Sequence, residues 1–195
     1  MDLTPDKIDS YSGKIIVISG WRQAGKTSTC SMVVEYCLNA GLRVRGVLSP
    51  ARFVNGKKTG IYALDLGSDE RRLMASLFAA EVGGVQTGCW SFDADVLAWQ
   101  NDCLSTAAPA DLIIIDELGP MEFEGQKGLQ SAFDVLKGGR YHMALVIIRP
   151  EYVDTFKNMA ISPHEQEVIV IDDSNIKSMA LALGERIKSY HQNSL

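Results

Sequence analysis

Residues Gly20, Trp21, Arg22, Gln23, Ala24, Gly25, Lys26 and Thr27 match G-x-x-x-x-G-K-[ST] in full. The chemistry of that spacing is phosphate binding. Successive backbone N–H groups of such a loop surround a β-phosphate, and a helix opening at its end adds positive potential. Lys26 supplies a point charge to the β- and γ-phosphates. The Thr27 hydroxyl is placed to ligate Mg²⁺, and Ser28 extends the nucleotide-binding run by one residue. The rival reading is a glycine-rich turn with no nucleotide. Context weighs against it, because the motif needs a strand before it and a helix after it, and the sequence supplies both. Lys14–Ser19 reads as a buried strand. Lys26 to about Asn39 reads as a helix closed by Gly41.

A second signal is Leu112-Ile-Ile-Ile-Asp116-Glu117, an apolar strand ending in an acid. Asp116 would hold the magnesium, through water. Glu117, directly after it, can accept a proton from a water aimed at a γ-phosphate; the alternative is a structural cap or ion pair. Arg149 follows the strand Met143–Ile148, where a basic residue can stabilise phosphate charge or simply sit on a solvated turn. Arg22 and Arg52 could reach a phosphate or be exposed, and Lys57 and Lys58 read as solvated. Trp90, Phe92 and Trp99 fit core packing better than a base-stacking platform. His142, His164 and His191 are scattered, show no metal spacing and receive no role.

The elements that must position these groups alternate. Short β-branched runs at Lys14–Ser19, Leu42–Leu48, Asp111–Ile115, Met143–Ile148 and Glu167–Ile171 are separated by helical stretches. The later helices are Gly128–Lys137, Pro150–Lys157 and Ser174 to about His191. Five such strands imply an α/β fold with a mostly parallel sheet covered on both faces. An acid pair at the second motif places an extra strand between the two nucleotide-binding strands, giving an expected order of 5-1-4-3-2. Ala51–Val54 and Thr59–Leu66, joined by Asn55–Gly56, read as a β-hairpin inserted after the second strand. Ser68–Ala80 reads as a helix with Ser68 as its N-cap. A short strand near Gln86–Trp90 and a helix from Phe92 to about Ala107 complete an insertion spanning about 49–108.

Length and composition bound the rest. The chain has 195 residues, a net charge of −5 and 46% hydrophobic residues, as expected for one soluble domain spanning 1–195. The acidity argues against a duplex nucleic-acid binder. No apolar run approaches the roughly 20 residues of a membrane span. The polar N-terminus lacks a signal-peptide core. Cys30, Cys37, Cys89 and Cys103 contain no C-x-x-C pair and read as reduced thiols. A cytoplasmic protein is the expectation, and the sequence leaves its oligomeric state open with a monomer slightly favoured.

The box Asp116-Glu117-Leu118-Gly119-Pro120-Met121-Glu122 resembles the D-E-x-G-P-M-E signature of the small P-loop nucleoside-triphosphatases of the cancer-related type. Gly46–Leu66 is similar to that family's strand, hairpin and strand, and Val146-Ile-Ile-Arg149 to its strand ending in Arg. The resemblance runs from about Lys14 to about Ile171. It implies a three-layer P-loop fold and a slow, Mg²⁺-dependent hydrolase of broad base preference. Lys26, Thr27, Asp116 and Glu117 are then its working residues. Gly119, Pro120 and Glu122 carry over as signature positions without a derived role. The hairpin entry Ser49-Pro50-Ala51-Arg52-Phe53 lacks the family's acids, and Gly88-Cys89-Trp90 replaces a glycine–basic–Tyr element. These departures bear on base or partner recognition. A small-molecule kinase is the first alternative, although Arg71–Arg72 makes a poor lid. A nucleotide-dependent switch is the second.

Overall fold

Runs that are apolar at successive positions can be satisfied only between two covering layers, and that is where the sequence puts them. The computed structural model describes residues 11–161 and 166–193. Residues 1–10, which carry most of the polar N-terminus, and His164 lie outside the described residues.

Strand β1 (Lys14–Ser19) leads through the glycine loop into α1 (Lys26–Asn39). There follow β2 (Val44–Leu48), β3 (Ala51–Val54), β4 (Lys57–Asp65), β5 (Arg71–Ser76), the single turn α2 (Ala79–Val82), β6 (Val85–Thr87), β7 (Trp90–Phe92) and α3 (Ala94–Ser105). The second half contains β8 (Ala110–Leu118), α4 (Pro120–Phe123), α5 (Ser131–Gly138) and β9 (Tyr141–Ile148). A 3₁₀ turn (Pro150–Tyr152), α6 (Val153–Lys157), β10 (Glu167–Val170) and α7 (Ile176–Asn193) complete it.

Among the described residues ten strands join one sheet, in the order β10-β1-β9-β8-β2-β4-β5-β7-β6, with β3 paired to β4. The first five are mutually parallel, and counted along the chain they stand 5-1-4-3-2. The others are antiparallel. Ile15, Val17, Ile113, Ile115 and Val146 point to one face, beneath Leu104 of α3 and Phe133 and Leu136 of α5. Ile16, Ile18, Ile114 and Ile147 point to the other, beneath Cys30, Val33 and Cys37 of α1 and Leu183 and Ile187 of α7. Each such side chain contributes about 1.5–3 kcal/mol on burial. The sandwich is therefore three layers, α/β/α. Among the described residues no helix is long and apolar enough to cross a membrane. All four cysteines are free, and burial pushes the Cys37 thiol up to about 12.

The segment 68–80 departs from the expected helix. Arg71–Ser76 is strand β5, laddered to β4 through pairs such as Tyr62↔Leu73 and Ala63↔Arg72. Its entry is fixed by Asp65, whose carboxylate accepts the N–H groups of Gly67 and Ser68. Ser68 thus belongs to a turn and caps no helix. Arg, Leu, Met and Ala favour helix intrinsically, but burial of Met74 and Ala75 against the sheet overrides that preference. The insertion is correspondingly more than a hairpin: it carries the sheet onward from β2 as an antiparallel wing. Its helix α3 starts two residues later than the expected Phe92, which closes strand β7; the Asp93 carboxylate caps it by accepting the N–H groups of Asp95 and Val96.

Candidate active site

The site forms where β1, β8 and β9 end on the same edge of the sheet. Gly20 leaves β1 at φ +140°, and a Cβ there would lie 2.3 Å from the Ile171 carbonyl oxygen. Gly25 sits at φ +87°, where a Cβ would lie 2.3 Å from Ile176 Cδ1. The junction between β10 and α7 therefore presses on the loop from behind, and glycine alone fits both positions. Beyond Gly25, α1 starts with no side-chain cap and no acid in its first turn. Its first N–H groups are left for an anion.

Lys26 is buried, with 7% exposure, and its ammonium donates to the carbonyls of Gly20 at 2.9 Å and Trp21 at 3.0 Å. Asp116, near the end of β8, is 2% exposed. Its Oδ2 accepts the Ser49 N–H at 3.0 Å, and the Ser49 hydroxyl donates to its backbone carbonyl. The carboxyl is pushed up to about 6, first by burial and then by neighbouring Glu117; hydrogen bonds from Ser49 and Thr27 and the charge of Lys26 act the other way. A buried carboxylate only partly compensated by its neighbours, beside a hydroxyl, is a hard-oxygen set suited to a small divalent cation.

Glu117 and Arg149 emerge from adjacent strands, because Leu118 of β8 pairs with Ile148 of β9. The Glu117 Oε1 accepts from Arg149 Nε at 2.6 Å, and its Oε2 lies 4.0 Å from Lys26 Nζ. These three side chains, with Gly20, Trp21 and Arg22, line a cavity of about 350 Å³. Trp21 stands on its lip, 82% exposed. Gln23 and Ala24 complete the loop without lining the cavity, and Ser28 faces solvent on α1.

Other candidate groups lie elsewhere. Arg52 makes two hydrogen bonds to Glu81, at 2.8 and 3.1 Å. Lys58 lies over the Trp90 ring, Arg71 over Tyr62 and Arg72 over Trp99. Phe92 and Trp99 pack against Ala63, Met74 and Val96. The arginine pair is thus engaged on β5 and forms no lid.

The D-E-L-G-P-M-E box acquires physical roles. Glu122 is buried, and its two carboxylate oxygens accept the N–H groups of Gly119 at 2.7 Å and Leu129 at 2.9 Å. Burial pushes its carboxyl up, against the pull of those hydrogen bonds. Pro120 occupies the first turn of α4. A Cβ on Gly119 would lie 3.1 Å from Arg149 Nε, so the missing side chain gives the guanidinium its path to Glu117. Glu122 three residues after Gly119 is the spacing of a capping box, a signal the sequence did carry. Ser49, the partner of Asp116, had no such signal.

The sequence pattern of the NTPase family matches residues 15–181. Among relatives, the nucleoside-triphosphatase THEP1 of Methanothermobacter thermautotrophicus is 25% identical over 184 residues, covering 90% of this chain and 97% of that protein. The nucleoside-triphosphatase THEP1 of Pyrococcus abyssi is 29% identical over 131 residues, covering 66% and 72%. In fold, the chain is similar to the solution structure of a human cancer-related nucleoside triphosphatase, with a TM-score of 0.66 and 17% identity over 90% of this chain and 98% of that one. The crystal structure of THEP1 from the hyperthermophile Aquifex aeolicus gives 0.62 and 16%, over 89% and 98%. With the glycine loop, the acid pair and the signature box all inside the matched span, the chain belongs to the NTPase family.

Proposed function

We propose that this chain hydrolyses nucleoside triphosphates to the diphosphate and inorganic phosphate, with Glu117 as the base that activates water. The observation that carries this reading is the position of Glu117. It borders the cavity between Lys26 and Arg149, where a γ-phosphate would lie once the loop holds the β-phosphate. The names of the relatives agree with it.

Lys26 and the first N–H groups of α1 bind the β- and γ-phosphates and hold the chain of phosphates in line. Thr27 and Asp116 would hold Mg²⁺, which when bound offsets charge on the phosphate oxygens. Glu117 takes a proton from the water whose oxygen bonds to the γ-phosphorus. The bond from that phosphorus to the β–γ bridging oxygen breaks, and its electron pair leaves with the nucleoside diphosphate. Arg149 orients Glu117 and supplies positive charge to the transferring group.

The test is Mg²⁺-dependent phosphate release from ATP, GTP, CTP and UTP, by the unaltered chain and by Glu117→Gln. The expected result is release by the first, and a loss of about 10²–10⁴-fold in the variant with Mg·ATP binding retained. Wild-type turnover in Glu117→Gln would remove Glu117 as the base. Absence of release from all four nucleotides would overturn the hydrolase reading.

A further inference from the structure

Parallel strands start together at the end of the sheet opposite the glycine loop, and there the fold gathers three residues from distant parts of the chain. Asp111 lies at the start of β8, His142 at the start of β9 and His191 in the last turns of α7. Asp111 Oδ1 is 3.1 Å from His191 Nδ1 and 3.8 Å from His142 Nε2. One donor atom from each residue lies within 4.8 Å of the other two. Asp111 and His142 are buried, with 7% and 6% exposure, and His191 is half-buried.

The arrangement is held from outside. Asp111 Oδ2 accepts the Arg43 backbone N–H at 2.6 Å, which fixes the carboxylate with Oδ1 toward both imidazoles. The His142 ring packs against Tyr11 at 5.1 Å and meets His191 nearly edge-on at 6.2 Å. Among the described residues, the basic side chains within 4.0 Å of the Asp111 carboxylate are these two histidines and no Lys or Arg. A His–Asp hydrogen bond needs one imidazole. Two imidazoles converging on one anchored carboxylate oxygen offer three donor atoms that a metal ion can share.

We propose that Asp111, His142 and His191 bind a divalent transition metal of the zinc class, which fastens the end of α7 to β8 and β9. Bonds of about 2.0–2.1 Å in tetrahedral geometry separate neighbouring donors by about 3.3 Å, close to the 3.1 and 3.8 Å of the two pairs that share Asp111 Oδ1. Imidazole donors favour Zn²⁺, Co²⁺ or Ni²⁺ over Mg²⁺. The site is separate from the nucleotide cavity: Asp111 and Asp116 are five residues apart on one strand, or about 16 Å. The Arg43 N–H plays the part that outer hydrogen bonds play in orienting a metal-binding carboxylate.

The experiment uses the full chain, stripped with chelator and free of nucleotide. Zn²⁺ should bind at one equivalent per chain and raise Tm by about 5–10 °C at a hundredfold excess over Kd, while Mg²⁺ leaves it unchanged. Co²⁺ should give visible d–d bands without a thiolate charge-transfer band. His191→Ala, at a half-exposed helix end, should weaken Zn²⁺ by tenfold or more, and Lys26→Ala and Cys89→Ser should not. In the unaltered chain, Zn²⁺ should shift the imidazole ¹⁵N resonances of His142 and His191. Unmoved imidazole resonances, unchanged Zn²⁺ affinity in His191→Ala, or loss of binding in Cys89→Ser would each overturn the site.

Discussion

Glu117 is held by two cations of different kinds. Lys26 is buried and tied to the carbonyls of its own loop, so its position belongs to the phosphate site. Arg149 is partly exposed and meets the carboxylate through Nε, and among the described residues no hydrogen bond engages its terminal nitrogens, which can turn toward an incoming phosphate oxygen. The two residues should therefore separate kinetically. Lys26→Ala removes charge from bound nucleotide and should weaken Mg·ATP binding along with turnover. Arg149→Ala should lower kcat by about 10²-fold and change nucleotide Kd far less, because it acts on the orientation of Glu117 and on charge in the transition state. Arg149→Lys keeps the charge but not the planar fork, and should recover only part of the loss. Steady-state phosphate release combined with direct binding of Mg·ATP distinguishes these cases. An Arg149→Ala protein with unaltered kcat would return that residue to the role of a solvated turn.

At the scale of elements, the turn after β8 depends on one buried acid. Glu122 accepts two N–H groups, from Gly119 and Leu129, that otherwise face the interior. Glu122→Ala leaves both without a partner and should lower stability by about 2–4 kcal/mol, read as a shifted urea midpoint at constant slope. Glu122→Gln is not conservative here, since its amide NH₂ would turn a donor toward one of two donors. The sequence made much of this region legible, for a physical reason. A phosphate loop needs fixed residue types at fixed spacing, between a strand and a helix, and Gly20–Thr27 and Leu112–Glu117 carry both. Segment 68–80 was illegible because its strand is selected by β4 and by burial of Met74 and Ala75, while Arg, Leu, Met and Ala by themselves favour helix. The groups that steady the site were hidden in the same way. Ser49 meets Asp116, and Asp111 meets two histidines, only after parallel pairing has aligned β2, β8 and β9.

Across the whole molecule, the phosphate loop leans on the far edge of the sheet. Ile171, following edge strand β10, backs Gly20, and Ile176 of α7 backs Gly25. That edge is clamped by Glu167 of β10, whose carboxylate accepts from both terminal nitrogens of Arg186 on α7, at 2.9 and 2.7 Å, with Lys14 of β1 at 4.0 Å. The Arg186 hydrogen bonds hold the Glu167 carboxyl below its usual range, with smaller help from nearby positive charge and against the pull of burial. A folded-state pKa below the unfolded one means that the ionised clamp stabilises above the ordinary glutamate range, near pH 4.3, and is lost as pH falls through the depressed value. With side-chain exposures of 30% and 40%, solvent screening keeps the pair to about 0.5 kcal/mol. Arg186→Ala should thus be less stable than the parent by about that amount at pH 7, and the gap should close toward pH 3 and at high salt. Because the clamp supports the strand behind the loop, hydrogen exchange at the amides of Gly20–Lys26 should quicken in Arg186→Ala at pH 7, relative to amides of β8 at the sheet centre. Equal protection of those loop amides in the two proteins would mean that the clamp does not reach the loop and that the loop is held by α1 and β1.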